Sequence, residues 1–192
     1  MELVFATNNK HKLKEIQHLL GNEIKLLCLD DINCTDEIPE DYNTLEENAS
    51  QKAWYIYNKY KINCFADDTG LEIEHLNNEP GVFSARYAGS DKNPEANIIK
   101  VLQLLKGVKN RNARFRTVIS LITDGKETQF EGIINGTILN KKQGTDGFGY
   151  DPIFLPDGFR QSFAEMPLSE KNNISHRAIA AQKLVSYLLK KL

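Results

Sequence analysis

Two adjacent carboxylates, Asp67 and Asp68, are the residues of this sequence best suited to chemistry. They follow an apolar stretch at residues 62–66 and precede Thr69 and Gly70, which predicts a buried strand that ends in a turn. Successive side chains of a strand point to opposite faces, so at least one carboxylate is expected to face a site. Paired carboxylates at a strand end suit Mg²⁺, which takes oxygen ligands and commonly meets substrate phosphates. The alternative is an ordinary polar turn, since Asp and Gly are favoured in turns.

A second polar segment separates the first predicted strand from its helix. Its six residues are Thr7, Asn8, Asn9, Lys10, His11 and Lys12. Free backbone N–H groups at a helix start, the helix dipole and the lysines together predict an anion site. The segment lacks the G-x-x-x-x-G-K-[ST] pattern of a Walker loop, so it does not indicate an NTPase motor. The structural alternative is that Thr7 or Asn8 caps the helix and the lysines are solvated.

Residues 144–152 form a glycine-rich stretch, Gly-Thr-Asp-Gly-Phe-Gly-Tyr-Asp-Pro. Glycines allow unusual backbone angles and the close approach of a flat ligand, and Phe148 or Tyr150 can stack on a base. A tight bend between strands is the structural alternative for this stretch.

The last predicted helix opens with Ser175, His176 and Arg177, and Lys171 lies just before them. Cations at a helix start oppose the helix dipole. His176 and Arg177 are therefore better placed for a ligand than for stability.

Apolar residues alternate between strand and helix periods along the chain, which is typical of an α/β protein. This pattern predicts strands at residues 3–6, 24–29 and 62–66, and a hairpin of residues 115–122 and 127–134 across Asp124-Gly125. It predicts a first helix that ends near Gly21, a capped helix over 44–60, a helix from Asn93-Pro94 to Gly107, and a helix over 174–189. We expect one domain over residues 1–192, with a mixed central β-sheet flanked by helices in an elongated, two-lobed arrangement.

Composition narrows the class of protein further. The chain has 192 residues, of which 41% are hydrophobic and 26% are charged, which is ordinary for a globular protein. A net charge of −2 gives no global field for gripping a nucleic-acid backbone, so no stable nucleic-acid partner is expected.

The cellular address expected from the sequence is the cytoplasm. The N-terminus lacks the basic start and apolar core of a signal peptide, and no apolar run approaches membrane-spanning length. The three cysteines, Cys28, Cys34 and Cys64, are an odd number without C-x-x-C spacing, which fits a reducing compartment.

The conjunction of these motifs resembles the inosine/xanthosine triphosphate pyrophosphatases, a family that hydrolyses deaminated purine nucleotides. The resemblance spans nearly the whole chain in matching order, through Ala6-Thr7-Asn8-Asn9 with Lys12, Glu47-Asn48-Ala49 with Lys52, ADDTGL at 66–71, PGVFSARYAG at 80–89, GFGYDP at 147–152 and Ser175-His176-Arg177. Two departures are visible. Asn8 stands where the family has Gly in T-G-N, and Thr69 replaces the Ser of D-D-S-G, which keeps the hydroxyl.

The resemblance implies an Mg²⁺-dependent enzyme, commonly a homodimer, that converts a purine nucleoside triphosphate into the monophosphate and pyrophosphate. It implies that Asp68 is the general base and that the metal ligands are Glu47, Asp67 and Asp68. It implies phosphate and substrate contacts from Thr7, Asn8, Asn9, Lys10, His11, Lys12, Lys52 and Thr69. It implies that Phe148 stacks on the purine, that Lys171, His176 and Arg177 lie near the edge of the purine, and that Gly149, Tyr150 and Asp151 also bind the substrate. The capping box at Thr44 explains Glu47 equally well.

Two other function classes are to be weighed against this one. A phosphatase that forms an aspartyl-phosphate would also use acidic residues at a strand end, but its D-x-D-x-[TV] spacing is absent because Asp67 and Asp68 are adjacent. A noncatalytic purine-nucleotide-binding regulator would need only the phosphate and base contacts.

Overall fold

The computed structural model describes residues 2–20 and 24–190. Its strands are β1 (Glu2–Phe5), β2 (Lys25–Leu27), β3 (Cys64–Ile73), β4 (Glu79–Gly81), β5 (Asn112–Thr123), β6 (Lys126–Ile138) and β7 (Phe154–Pro156). Its α-helices are α1 (Lys10–Leu20), α2 (Leu45–Tyr60), α3 (Pro94–Leu104), α4 (Leu168–Ile174) and α5 (His176–Leu189). Short 3₁₀ turns lie at Asp30–Ile32, Glu74–Leu76, Ser84–Arg86 and Asp151–Ile153. In the described part of the chain, every helix is too short or too polar to cross a membrane.

The strands form one mixed sheet in the order β2-β1-β3-β5-β6-β7, and β4 pairs with β3. β1 lies parallel to β2 and to β3, whereas β4 runs antiparallel to β3 and β7 runs antiparallel to β6. The turn between β5 and β6 is the predicted Asp124-Gly125 pair, with φ of 50° and 74°, and a two-residue connection joins antiparallel strands. The prediction of a mixed central sheet flanked by helices is confirmed.

The chain folds into two compact units. The first unit holds the residues up to Asp68, Thr117–Gly132, and those from His176 onward. The second unit holds Thr69–Arg116 and Ile133–Ser175. Each unit has its own apolar core, and the prediction of one domain over residues 1–192 stays a prediction.

In the first unit, β3 sends alternate side chains into two apolar clusters. Phe65 packs in a cluster that includes Ile16 of α1 and Leu184 of α5. The next residue, Ala66, packs in a cluster with Ala53 of α2. Because strand side chains alternate between faces, the two clusters cover opposite faces of β3. The helices α1 and α5 therefore pack on one face of this strand, and α2 packs on the other.

The predicted helix starts at Thr44 and Asn93 are confirmed. The Thr44 hydroxyl accepts the backbone N–H of Glu47, and the Asn93 side chain accepts the N–H groups of Glu95 and Ala96. The predicted end of the first helix near Gly21 lies outside the described residues.

The last helix, predicted from about Ile174 to Leu189, is confirmed as α5, which begins at His176 and ends at Leu189. The short helix α4 precedes it and ends at Ile174, and Ser175 between the two helices is extended.

The predicted turn after Asp68 is wrong, because β3 continues to Ile73 and the two carboxylates lie inside a ten-residue strand. Gly70 has a different role there. A Cβ on Gly70 would lie 2.7 Å from the carbonyl oxygen of Gly81, so the missing side chain lets β4 approach β3 closely. The sequence pattern was ambiguous because glycine serves both turns and close backbone contacts.

Candidate active site

The two carboxylates of β3 lie in different surroundings because they follow the alternation of the strand. Asp67 continues the face of Phe65, which α1 and α5 cover, and Asp68 continues the face of Ala66, which α2 covers. Both residues are buried, with 3% and 8% of their surface exposed. The two carboxylates therefore have different nearest cations, although Lys12 and Lys52 lower the pKa of both.

Asp67 is held between two cations from two helices. The ammonium group of Lys12, near the start of α1, donates to Oδ1 at 2.7 Å, and Arg177 Nε, near the start of α5, lies 3.4 Å from Oδ2. Burial alone would raise the pKa of Asp67, but Lys12 and Arg177 together hold this pKa well below its usual range. Asp67 is therefore a permanent anion that fixes the two cations.

Asp68 has the opposite electrostatic balance. Burial raises the pKa of this carboxyl above its usual value, Lys52 opposes that shift, and the nearby negative charge of Glu40 adds to it. Lys52 Nζ lies 3.5 Å from Asp68 Oδ1 and 2.5 Å from Glu40 Oε1. A buried carboxylate with a raised pKa can accept a proton, which is the property needed of a general base.

Lys52 lies on the buried face of α2 and contacts the carboxylates of both Asp68 and Glu40. Burial alone would lower the pKa of its ammonium group, but the carboxylates of Asp68 and Glu40 raise the pKa on balance. Lys52 therefore remains charged, as a contact to phosphate requires. The motifs in the sequence did not indicate Glu40, which lies in a loop before α2.

The polar segment before α1 is organised by Asn9. Its side-chain oxygen accepts the backbone N–H groups of His11 and Lys12 at 3.0 and 3.2 Å, and its own N–H donates to the Thr7 hydroxyl at 3.1 Å. Asn9 is therefore the cap of α1, a position for which the sequence suggested Thr7 or Asn8. Two of the N–H groups predicted to be free for an anion are bonded within the segment.

Asn8 also has a structural contact. Its side-chain oxygen accepts the backbone N–H of Asp30 at 3.1 Å. Asn8 is not among the described residues with a positive φ, so the replacement of the family's Gly requires no left-handed backbone here. Lys10 and His11 are exposed.

Glu47 lies in the capping box of α2. The Thr44 hydroxyl donates to Glu47 Oε2 at 2.7 Å while it accepts the Glu47 N–H at 3.2 Å. The side chain of Glu47 is exposed. Both the structural role and a ligand role remain compatible with this place.

In the second unit, the glycine-rich stretch is closed by a buried ion pair. Lys171 Nζ lies 2.8 Å from Asp151 Oδ2, and the same oxygen accepts the backbone N–H of Phe148 at 2.8 Å. Gly147 has a φ of 77°, and a Cβ there would collide with the Asp151 carboxylate. The ion pair therefore fixes the backbone that carries the Phe148 ring.

The two aromatic residues of this stretch differ in their exposure. Phe148 is half-buried, and Lys171 Nζ lies 4.9 Å from the centre of its ring. Tyr150 is 4% exposed and its hydroxyl donates to the carbonyl of Ser84 at 2.8 Å, so it belongs to the core. Phe148 is thus the ring that can stack on a base. Thr69 is half-buried, and Gly149, with a φ of 60°, has open space on the side where a Cβ would lie.

The charged residues do not form a closed metal site. Among the side chains that the structure describes, no group of three or more His, Cys, Asp or Glu residues has the arrangement of a metal-ligand set. The carboxylates of Asp67, Asp68 and Glu40 instead pair with lysines. Their oxygen atoms are nevertheless the hard donors that Mg²⁺ prefers.

Half of the predicted site residues fall into two groups, one in each unit. The first unit brings together Lys12, Lys52, Asp67, Asp68 and Arg177, and places His176 at the first position of α5. The second unit brings together Phe148, Asp151 and Lys171. A cavity of about 540 Å³ in the second unit has Glu72, Glu74 and Arg114 in its lining, and its lining includes none of the predicted site residues.

Comparisons with known proteins cover both groups. The Ham1 family matches residues 3–187. The chain is 56% identical to the dITP/XTP pyrophosphatase of Christiangramia forsetii, over 99% of this chain and 100% of that protein. It is 54% identical to the dITP/XTP pyrophosphatase of Flavobacterium johnsoniae, over 98% of each. The structure of the Staphylococcus aureus Ham1 protein superposes with a TM-score of 0.92 at 35% identity, over 100% of both chains.

Gly132 in the first unit positions a helix of the site, and no sequence motif indicated it. Gly132 of β6 lies against the start of α5, and a Cβ there would collide with the carbonyl oxygen of His176 and lie 2.6 Å from the N of Ala180. Both neighbours are backbone atoms, so the helix itself would have to move. The contact therefore sets how closely α5 brings Arg177 to Asp67.

We predict that Gly132→Ala displaces α5, lowers the free energy of unfolding by about 1–3 kcal/mol as in other overpacked cores, and shifts the ¹⁵N resonance of Arg177 Nε. Urea unfolding and NMR spectroscopy measure the two effects. Gly107→Ala is the comparison, because Gly107 has a φ of 77° and open space around it, so its loss reports backbone strain alone, whereas Gly132 is not among the described glycines with a positive φ. An unchanged stability of Gly132→Ala, or an unchanged Arg177 resonance in the folded variant, would contradict this role of Gly132.

Proposed function

The chain belongs to the Ham1 family, and we propose that it hydrolyses deaminated purine nucleoside triphosphates (inosine, deoxyinosine and xanthosine triphosphates) to the monophosphate and pyrophosphate. The match to the Ham1 family and the identity to the dITP/XTP pyrophosphatases confirm the family resemblance seen in the motifs. Support for the substrate class comes from the relatives, which bear the name dITP/XTP pyrophosphatase. The observation that carries the proposed chemistry is that two adjacent carboxyl groups on one strand have opposite pKa shifts, lowered at Asp67 and raised at Asp68.

The proposed reaction begins with a water molecule beside Asp68. Asp68 takes a proton from this water, the water oxygen bonds to the α-phosphorus, and the bond between the α-phosphorus and the bridging oxygen breaks. Pyrophosphate leaves with the electron pair of the broken bond. Lys12 and Lys52 balance the negative charge of the phosphate chain, which otherwise repels the attacking oxygen. The Asp67 carboxylate keeps Lys12 and Arg177 in place during these steps.

We propose that Mg²⁺ is the metal, since the nearby donors are carboxylate oxygens. Asp68 fits as a ligand, and Glu40 is a further carboxylate within reach of the same lysine. Asp67 is engaged by Lys12 and Arg177, and Glu47 is exposed and bonded to Thr44, so a ligand role for either one requires a change of partners. Bound Mg²⁺ would neutralise phosphate charge and polarise the phosphoryl oxygens.

We propose that the purine stacks on Phe148. The Asp151–Lys171 pair supports this proposal because it fixes the backbone of Phe148 through the Asp151 carboxylate. Contacts of Lys171, His176 and Arg177 with the purine edge remain part of the proposal. So do the cytoplasmic address and the homodimer.

We predict that Asp68→Asn lowers kcat for inosine triphosphate by about 10²–10⁴, the usual contribution of a general base, while nucleotide binding persists. The assay measures pyrophosphate release with Mg²⁺ and with a chelator, and the wild-type protein should be active only with Mg²⁺. The exposed Asp91 allows a matched control, Asp91→Asn, which should leave kcat unchanged. Nucleotide binding by wild type without pyrophosphate release would favour the noncatalytic regulator. Turnover by Asp68→Asn within a few-fold of wild type would remove Asp68 from the role of base.

We also predict that Lys12→Ala weakens binding of inosine triphosphate much more than binding of inosine, because the lost contact is to phosphate. A hydrogen bond between charged groups contributes about 1.5–3 kcal/mol, or roughly one to two decades in Kd. Isothermal titration calorimetry measures both ligands. Lys14→Ala, an exposed lysine on the same helix, is the control. If Lys12→Ala weakened both ligands equally, Lys12 would not belong to the phosphate site.

A further inference from the structure

The carboxylate of Glu127, at the start of β6, collects four hydrogen bonds from neutral donors. Oε2 accepts from Trp54 Nε1 at 2.8 Å and from Ser50 Oγ at 3.1 Å, both on α2. Oε1 accepts from Ser120 Oγ of β5 at 2.8 Å and from Gln129 Nε2 of β6 at 2.9 Å. One side chain thus joins α2 to both strands of the β5–β6 hairpin.

The two donors on α2 bracket Lys52 in the sequence. Ser50 and Trp54 are four residues apart and therefore share one side of the helix. Lys52 is two residues from each, or about 200° around the helix axis, and it reaches Asp68 and Glu40. A rotation or a shift of α2 that broke the bonds to Glu127 would therefore also move Lys52.

The buried face of α2 carries large and small side chains. Ala49 and Ala53, which flank Lys52 on this face, are both fully buried, and the larger Ile56 lies one turn further along the helix. Alanine methyl groups interlock little with neighbouring side chains, so these two residues add little resistance to a rotation of the helix beside Lys52. The bonds to Glu127 supply directional contacts that the alanines lack.

We propose that Glu127 is a positioning residue that fixes α2 on the β5–β6 hairpin and so places Lys52 beside Asp68. A second contact supports the same fixation, since Gln129 Nε2 also lies 3.3 Å from the backbone carbonyl of Glu46 in the first turn of α2. The inference rests on the proposed function only in giving Lys52 a part in hydrolysis.

The ionisation and exposure of Glu127 determine how strongly its replacement should change kcat/KM. Burial alone would raise the pKa of Glu127, but the hydrogen bonds from its four neighbours lower this pKa, which keeps the acceptor charged. The residue is exposed, so water competes for the carboxylate and the effect is moderate. We expect a change of about three- to tenfold in kcat/KM, equivalent to a small displacement of Lys52.

The test is a double-mutant cycle between Glu127→Gln and Lys52→Met, read as kcat/KM for inosine triphosphate. Glu127→Gln should lower kcat/KM about three- to tenfold in the wild-type background and less than twofold in the Lys52→Met background. A role confined to general stability would give the same factor in both backgrounds, and that result would overturn the proposal. An unchanged kcat/KM in folded Glu127→Gln would overturn it as well.

Two further variants keep the test decisive. Glu131→Gln makes the same change on an exposed position of the same strand and should have no effect in either background. The combined variant Ser50→Ala, Trp54→Phe removes both α2 donors and leaves Glu127 intact, and it should reproduce the dependence on Lys52. This second variant decides the question if Glu127→Gln does not fold.

The free energy of unfolding, measured without nucleotide, provides a second readout for the same four proteins of the cycle. Glu127 and Lys52 do not bond to each other in the described part of the chain, so independent roles predict additive losses. The proposal predicts that Lys52→Met costs less stability once Glu127 is replaced. A wild-type protein without pyrophosphate release would defeat the proposed function, and the unfolding cycle would still test the position of Lys52.

Discussion

The alternation of side chains along β3 is the constraint on which the site depends. It sends two carboxylates that are adjacent in the chain to opposite faces of one strand, and the helices on those faces decide what each carboxylate meets. Asp67 meets Lys12 and Arg177, whereas Asp68 meets Lys52. A shift of the strand by one residue would exchange the two environments.

This arrangement gives two aspartates different functions, since one anchors cations and the other accepts a proton. A carboxylate that anchors cations has to stay ionised, and a carboxylate that accepts a proton from water has to bind it strongly enough. The directions of the two pKa shifts, lowered at Asp67 and raised at Asp68, correspond to these functions. Gly132 and Glu127 act at a distance, because they hold the helices that carry Arg177 and Lys52.

Local patterns in the sequence predicted the local features well. The opposite faces of Asp67 and Asp68, the caps at Thr44 and Asn93 and the turn at Asp124-Gly125 all depend on a few neighbouring residues. The pattern at Thr69 and Gly70 was misread as a turn, because a glycine needed for close strand contact looks the same as one needed for a bend.

The remaining features depend on contacts between distant parts of the chain, which periodicity and short motifs do not reveal. Arg177 meets Asp67 across 110 residues, and Trp54 meets Glu127 across 73 residues. The pairing of Glu40 with Lys52 depends on the path of a loop that has no regular pattern. Family resemblance supplied roles for Lys12, Lys52 and Arg177, and the structure supplied the partners that give these cations their place.

The most direct measurement is a ¹³C NMR titration of the side-chain carboxyl carbons of Asp67 and Asp68 in metal-free and nucleotide-free protein, assigned with Asp67→Asn and Asp68→Asn. The account predicts that Asp68 titrates above the ordinary aspartate pKa of about 3.9 and that Asp67 stays ionised well below it. Replacing Lys52 by Met should raise the pKa of Asp68 further, because the opposing cation is lost. Two carboxyl groups that titrate together near the ordinary value, or in the reverse order, would contradict the account.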